Sequence, residues 1–451
     1  MEHIFDVVVI GSGTAGSAVA SRCRAAGWSV AVIDSLPFGG TCALRGCDPK
    51  KVLVGAAELL DFSERLHEKQ TVKGKLTIDW PELIRFKRSF TDPVPRQKER
   101  SFEKAGIKSF HGRAKFVDAN SLEVAGQRLN GRFIVIAAGA KPASLDIPGE
   151  ERLINSTQFL ELEQLPAEIA FVGGGYIAME FAHIAVRAGA RVTILHRGMR
   201  VLEGFDPDLV SSLSGRTQEL GIFLQTQTTV EAIEKSRDKL AVHASQRGKK
   251  VSFGCDLAVH AAGRVPDIDD LDLERAHVER EKKGVKVNDY LQSVSNPAIY
   301  AGGDSAATNG MPLTPVAGYD GKVIADNLLD GNHLKADYHA IPTVVFTTPP
   351  LASVGVSEEA ARQRGLRFRK NHMEIGDWYS SRRVAEKTAA FKVLIEAGSD
   401  RILGAHLLGP GAEETINLFA LAMRKDTTAA ELKRVLFAYP THAADVQYML
   451  E

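Results

Sequence analysis

Two glycine-rich stretches built to one plan, 162 residues apart, constrain this chain more than any other feature. The first is FDVVVIGSGTAGSAVASRCRAAGWSVAVID: an apolar strand runs into Gly11, Gly13 and Gly16, an Ala-rich helix follows, and a second apolar strand ends at Asp34. The second is IAFVGGGYIAMEFAHIAVRAGARVTILH, with Gly173, Gly175 and Ala178 at the matching places and His196 at the strand end. In such a unit glycine lets the backbone turn tightly and approach a pyrophosphate. The helix N-terminus offers unpaired N–H groups, and the residue ending the second strand meets the ribose. One copy is weak evidence; two copies in matching context predict two dinucleotide sites in an α/β chain.

The strand ends differ in chemistry. Asp34 can accept hydrogen bonds from ribose hydroxyls, which suits the adenosine of FAD. His196 is followed by Arg197 and Arg200, and a cationic group there suits a 2′-phosphate, so NADPH is expected over NADH. Arg200 taken alone reads as an ordinary surface charge. Two further segments, RFIVIAAGAKP with Gly139 and LAVHAAGRVPD with Gly263, read as buried strands ending in small-residue turns that close each unit. AIYAGGDSA, ending at Asp304, then precedes LTPVA and a helix-like run over 318–329. From about Asp337 strands rich in β-branched residues are followed by helices over 412–436, which predicts a separate C-terminal α+β domain.

Charge and cysteine content narrow the function classes. Lys+Arg and Asp+Glu number 56 each, so nothing favours nucleic acid or an anionic membrane as partner. No apolar run approaches the roughly 20 residues of a membrane span, and the strand-like run from Phe5 leaves no room for a leader, so a cytoplasmic location is expected. Four cysteines cannot form the disulfide scaffold of a small secreted domain. Two of them, Cys42 and Cys47, lie in GGTCALRGCDPKK ahead of a helix-like run over 51–64. A nucleotide unit ends just upstream, and a metal site would want more ligands than this loop offers, so redox chemistry is favoured and no metal is expected.

With GSGTAG, GGTCALRGC, GGGYIAMEFA, HAAGRVP, YAGGDSA and LTPVA in order, the chain resembles the flavoprotein disulfide reductase family over essentially its whole length. That family includes glutathione reductase, dihydrolipoamide dehydrogenase and mercuric reductase. The resemblance implies an α/β fold of two Rossmann-like domains, for FAD and NADPH, plus a C-terminal α+β dimerisation domain. The expected divisions are 1–150 and 263–335 for FAD, 151–262 for NADPH and 336–451 for the interface of a homodimer with shared active sites. It also implies roles. Cys47 would lie against the flavin as the charge-transfer thiolate, Thr41 would help bind the cofactor, and Cys42 beside it would be the interchange thiol that attacks the acceptor. Lys50 would sit near the reactive flavin nitrogen, paired with Glu180. Tyr176 would gate the nicotinamide side, Asp304 would bond the ribityl chain, and Thr314 would open the helix facing the flavin's anionic edge.

The pattern then breaks. Where related enzymes carry HPTxxE, with a partner-subunit histidine that shuttles protons, this chain reads AYPTHAADV. Tyr439 stands at the histidine position and Ala444 at the glutamate position, with Asp445 one residue late and His442 three residues along. Tyrosine also occupies this place in mercuric reductase, but that enzyme's paired C-terminal cysteines and metal-carrier domain are missing here. Glutathione disulfide is disfavoured because Ser21 and Lys322 replace the arginines expected to hold it. His196 and Arg197 weaken the dihydrolipoamide reading, and Asp48 is an unusual charge beside the thiolate. The sequence therefore predicts an NADPH-dependent FAD enzyme passing electrons through Cys42 and Cys47 to a small oxidised acceptor, a disulfide other than glutathione disulfide being one candidate. A reductase of metal ions, quinones or other electrophiles is the alternative, and a flavin-binding sensor without turnover is the alternative of another class.

Overall fold

In the computed structural model, which describes residues 2–451, the chain divides into two compact units, each discontinuous in sequence. The first comprises Met1–Lys50, Phe86–Ala143 and Gly263–Tyr338; the second comprises Lys51–Arg85, Ser144–Ala262 and His339–Glu451.

The first unit is built on a sheet in which Lys108–His111, Val30–Asp34, Glu2–Ile10 and Gln127–Ile136 lie side by side in parallel, with Ile299–Ala301 also pairing Gln127–Ile136. Val7, Val8 and Val9 are all fully buried, as expected of a parallel strand covered on both faces. One covering layer joins Val19, Ala20 and Cys23 of helix Thr14–Ala25 to Val323, Ile324 and Leu328 of helix Thr314–Asp330. Each buried Val, Ile or Leu of this layer contributes about 1.5–3 kcal/mol.

The second unit repeats the plan with Phe223–Gln225, Arg191–Leu195, Glu168–Val172 and Leu257–His260 in parallel. It adds an antiparallel sheet of Thr228–Ser236, Lys239–Gln246 and Lys249–Cys255, and a five-stranded antiparallel sheet over 343–408 backed by helix Ala412–Arg424. The sequence repeat is a structural repeat. Gly11 N–H donates to Ile33 O at 2.7 Å and Gly173 N–H to Leu195 O at 2.8 Å, and helices Thr14–Ala25 and Tyr176–Arg187 have 12 residues each.

Three elements depart from expectation. The helix after the cysteines spans Cys47–Glu68 rather than 51–64, because Pro49 falls in its first turn, where a missing N–H costs nothing. The helix expected over 318–329 is longer, Thr314–Asp330, with Pro315 in its first turn for the same reason. The helices expected over 412–436 end at Lys433: Ala412–Arg424 is followed by Ala429–Lys433, which a capping box of Thr428 and Glu431 starts, and Leu436 beyond it is almost fully exposed. Among the described residues no helix is long and apolar enough to cross a membrane.

Candidate active site

In the first unit the glycine loop and the cysteine loop are pressed together. Gly11 has φ +104°, and a Cβ there would lie 2.2 Å from Ala137 O. A Cβ on Gly40 would lie 2.4 Å from Gly13 Cα, so both positions must be bare for the loops to meet. Buried Ser12 ties them to the strand end. Its N–H and hydroxyl donate to Asp34 Oδ2 at 2.8 and 2.6 Å, and the hydroxyl accepts from Gly39 N–H at 2.9 Å. Leu36 N–H donates to the other carboxylate oxygen at 2.9 Å. Strands Ala140–Pro142 and Arg264–Pro266 pair beside this loop, bringing Gly139 and Gly263 to neighbouring turns. Burial lowers the Arg45 pKa, with Asp34 opposing that shift and Arg264 adding to it. A bare glycine turn at a helix N-terminus, with the guanidiniums of Arg45 and Arg264 nearby, fits an anionic dinucleotide. Both arginines stand inside motifs visible in the sequence, GGTCALRGC and HAAGRVP, but no spacing rule singles them out from the residues around them.

Helix Gly40–Arg45 carries Thr41 and half-buried Cys42, and exposed Cys47 begins the next helix. All four cysteines are free thiols. Cys47 Sγ lies 3.4 Å from Thr314 Oγ1, at the start of helix Thr314–Asp330. The Cys47 pKa is lowered to about 6, first by the hydrogen bond from Cys42 and then by Thr314 and the Lys50 charge, against the cost of burial. Cys42 is pushed up, first by that same bond, then by burial and by the negative neighbours Cys47 and Asp48. The pair is thus polarised: one thiolate at a helix N-terminus, one retained thiol. Lys50, on the first turn of the same helix, is buried. Asp48 turns its carboxylate toward the reactive pair, with Oδ1 3.9 Å from Cys42 Sγ.

Asp304 sits half-buried at the end of strand Ile299–Ala301, and burial raises its pKa. Behind it is an acid the sequence did not announce. Asp320 is fully buried, accepts Gly303 N–H and the Tyr338 hydroxyl at 2.9 Å each, and has its pKa raised to about 6, chiefly by burial. Ser21 and Lys322 are both exposed on their helices.

In the second unit Gly173 has φ +116°, with a would-be Cβ 2.2 Å from Ala261 O, and Gly175 caps the helix that Tyr176, half-exposed, begins. His196 lies against Gly174, where a Cβ would be 2.6 Å from the ring. Its Nε2 is buried without a hydrogen-bond partner, and Glu203 Oε1 stands 3.4 Å away. Arg197 is exposed. Arg200 is not an ordinary surface charge: it is half-buried, one Nη donates to Glu203 O at 3.0 Å, and its Nε is buried with no partner. Glu203, seven residues on, brings a carboxylate to this strand end through the loop's return.

Helix Tyr176–Arg187 also presents three polar groups along one face to the segment 346–348. Glu180 Oε1 accepts Phe346 N–H at 2.8 Å, His183 Nδ1 accepts Thr348 N–H at 3.2 Å, and Arg187 donates to Thr348 O at 3.2 Å and to buried Asp61 at 2.6 Å. Glu180 and Lys50 belong to different units, and each is buried.

At the C-terminus Tyr439 is 81% exposed, stacked on Tyr379. His442 packs against Gly411, with Nε2 3.5 Å from Arg383, and its pKa is lowered by burial and by that guanidinium. Ala444 is buried and Asp445 accepts from the Ser380 hydroxyl. Among the described residues no cluster of three or more His, Cys, Asp and Glu could hold a metal ion.

Comparison with known proteins agrees with this geometry. Residues 5–321 match the family model for pyridine nucleotide-disulphide oxidoreductases, and 341–450 match the dimerisation domain of the same family. The chain is 34% identical to glutathione reductase of Burkholderia cepacia, covering 98% of each chain. It is 32% identical to mercuric reductase of Lysinibacillus sphaericus, covering 98% of this chain and 81% of that one. Among solved structures it is similar to a Cu(II) complex of the HOCl-induced flavoprotein disulfide reductase RclA from Escherichia coli, at a TM-score of 0.89, 27% identity and 99% coverage of both chains.

Proposed function

Because the chain belongs to the pyridine nucleotide-disulphide oxidoreductase family, we propose that it passes electrons from NADPH through FAD to the Cys42 and Cys47 pair and on to a small oxidised acceptor. It is an NAD(P)H-dependent oxidoreductase that uses FAD, and its dimerisation domain makes it a homodimer. FAD, when bound, converts hydride transfer from the nicotinamide into two-electron reduction of the neighbouring cysteines.

The observation that carries the reading is the polarised pair. Cys47, at a helix N-terminus with its pKa drawn down to about 6, supplies a standing thiolate, and Cys42 keeps its proton until an acceptor takes it. The first glycine loop, with Asp34, Arg45, Arg264, Asp304 and Thr314, supports FAD, and 1–150 with 263–335 form its domain. The second supports NADPH through Arg197 and Arg200, in a domain over 151–262, with Tyr176 at the nicotinamide side. Lys50 and Glu180 steady the charge of the reduced flavin region, and 336–451 form the dimer interface. Tyr439, exposed at the place of the family's catalytic histidine, is the proton or hydrogen-bond donor to the acceptor, whereas His442 is engaged by Gly411 and Arg383. A disulfide other than glutathione disulfide is the favoured acceptor, since exposed Ser21 and Lys322 offer no bidentate carboxylate anchor. A cytoplasmic location completes the reading.

Absorbance spectroscopy tests it. Cys47→Ser should lack the long-wavelength thiolate-to-flavin band, and Cys42→Ser should show that band without reductant. The band in Cys42→Ser should persist at pH 8 and fade as the thiolate is protonated on acidification. The opposite pattern in the two variants would exchange the thiols' roles.

A further inference from the structure

We propose that Asp48 sets the charge of the acceptor: the interchange thiol of this protein is built to favour cationic disulfides and to turn away anionic ones. The inference rests on the reading of Cys42 as the interchange thiol. The carboxylate follows directly after Cys47 in the first turn of helix Cys47–Glu68, is solvent-exposed, and holds Oδ1 3.9 Å from Cys42 Sγ. With Cys47 as a thiolate, Cys42 has two negative groups at its side, and both are among the causes that keep its proton on. Lys50 is buried and acts on Cys47, Arg45 lies in the field of Asp34 with Arg264 beside it, and the charges that act on Cys42 are those of Cys47 and Asp48. An acceptor approaching Cys42 therefore meets a negative field.

The chemistry balances without further reagents. Cys42 attacks one sulfur of the acceptor, the acceptor's S–S bond breaks, a Cys42 mixed disulfide forms, and the first thiol departs with the Cys42 proton. The Cys47 thiolate then attacks Cys42 Sγ, the second thiolate departs, and the Cys42–Cys47 disulfide closes. The pair has lost two electrons and the acceptor has gained them; NAD(P)H restores the pair. In both transfers negative charge develops on sulfur within reach of Asp48. An ammonium on the acceptor offsets that charge, whereas a carboxylate adds to it.

Three disulfides of similar size test the assignment on the holoenzyme: cystamine, with two ammoniums; 2-hydroxyethyl disulfide, neutral; and dithiodiglycolate, with two carboxylates. Referred to the neutral compound, kcat/KM should favour cystamine over dithiodiglycolate, and Asp48→Asn should shrink that ratio about tenfold at low salt, less as ions screen the field. A ratio unmoved by Asp48→Asn overturns the inference. A second readout needs no turnover: in the reduced enzyme, the rates at which cationic and anionic methanethiosulfonates label Cys42 should differ, and the difference should narrow in Asp48→Asn. If none of the three disulfides is reduced, the reading of the pair as a disulfide reductant fails, and the labelling ratio still decides the role of Asp48.

Discussion

The two glycine units share strand order, hydrogen-bond pattern and helix length, yet differ at two positions that face each other. In the first, Ser12 and Asp34 bond directly, so the strand-end carboxylate is fixed by the loop it serves. In the second, Gly174 replaces the serine and His196 the aspartate, and the imidazole fills the space that the serine side chain would have taken. The first solution is a closed hydrogen-bonded set. The second leaves buried nitrogens on His196 and Arg200 without partners, with Glu203 close by. A site that must accept hydroxyls can be satisfied before its ligand arrives; a site meant for a phosphate keeps donors in reserve. The third motif position separates the units too. A Cβ on Gly16 would fall 2.0 Å from Gly11 O, whereas the second unit accommodates Ala178.

Breaking that contrast should be most visible at this third position. Gly16→Ala drives a methyl group into backbone, costing about 1–3 kcal/mol or more, and should lower the flavin content of purified protein sharply. Ala178→Gly should leave flavin content alone and only modestly weaken nicotinamide nucleotide binding. Next in size is the strand end. Asp34→Ala strands three donors, at about 1–3 kcal/mol for each that water cannot reach, and should lower the thermal midpoint of the flavin-free protein well beyond His196→Ala, which removes no hydrogen bond from Nε2. Smaller still is cofactor choice. Wild type should prefer NADPH by about tenfold, equivalent to about 1.4 kcal/mol, and Arg197→Glu should reverse this in steady-state kcat/KM. Glu203→Gln should raise the NADPH preference a few-fold by removing a like charge from the phosphate's neighbourhood. Equal use of NADH by wild type would end the argument from the arginines.

Whatever rests on backbone periodicity was legible before any coordinates. The paired glycine turns, the strand ends at Asp34 and His196, the strand-to-helix order and the cysteine loop all follow from patterns that recur locally. What escaped was assembled by the return of the chain. Glu203 approaches His196 because the loop after the strand folds back, and Arg45 and Arg264 meet near Asp34 from segments far apart in sequence. The orientation of Asp48 could not be read because a carboxylate in the first turn of a helix can as well serve the helix dipole as the neighbouring thiol. Pro49 and Pro315 hid two helix starts by standing where proline is harmless.

The grip of helix Tyr176–Arg187 on segment 346–348 carries a consequence for acid tolerance. Thr348 N–H donates to His183 Nδ1, so that nitrogen must be bare and Nε2 must hold the hydrogen it offers to Thr217, whose own hydroxyl goes on to Leu213 O. The ring is thereby confined to one tautomer and has no acceptor role left for an added proton. Burial and the charge of Arg187 hold its pKa well below the ordinary value. The unfolded chain, with an ordinary histidine near 6.5, binds a proton that the native state refuses, so stability falls as pH drops below about 6.5. The second unit should therefore lose its tertiary near-ultraviolet signal in mild acid before carboxylate protonation accounts for it, and His183→Gln, which keeps a neutral polar group in place, should blunt that acid sensitivity even if it lowers stability at neutral pH.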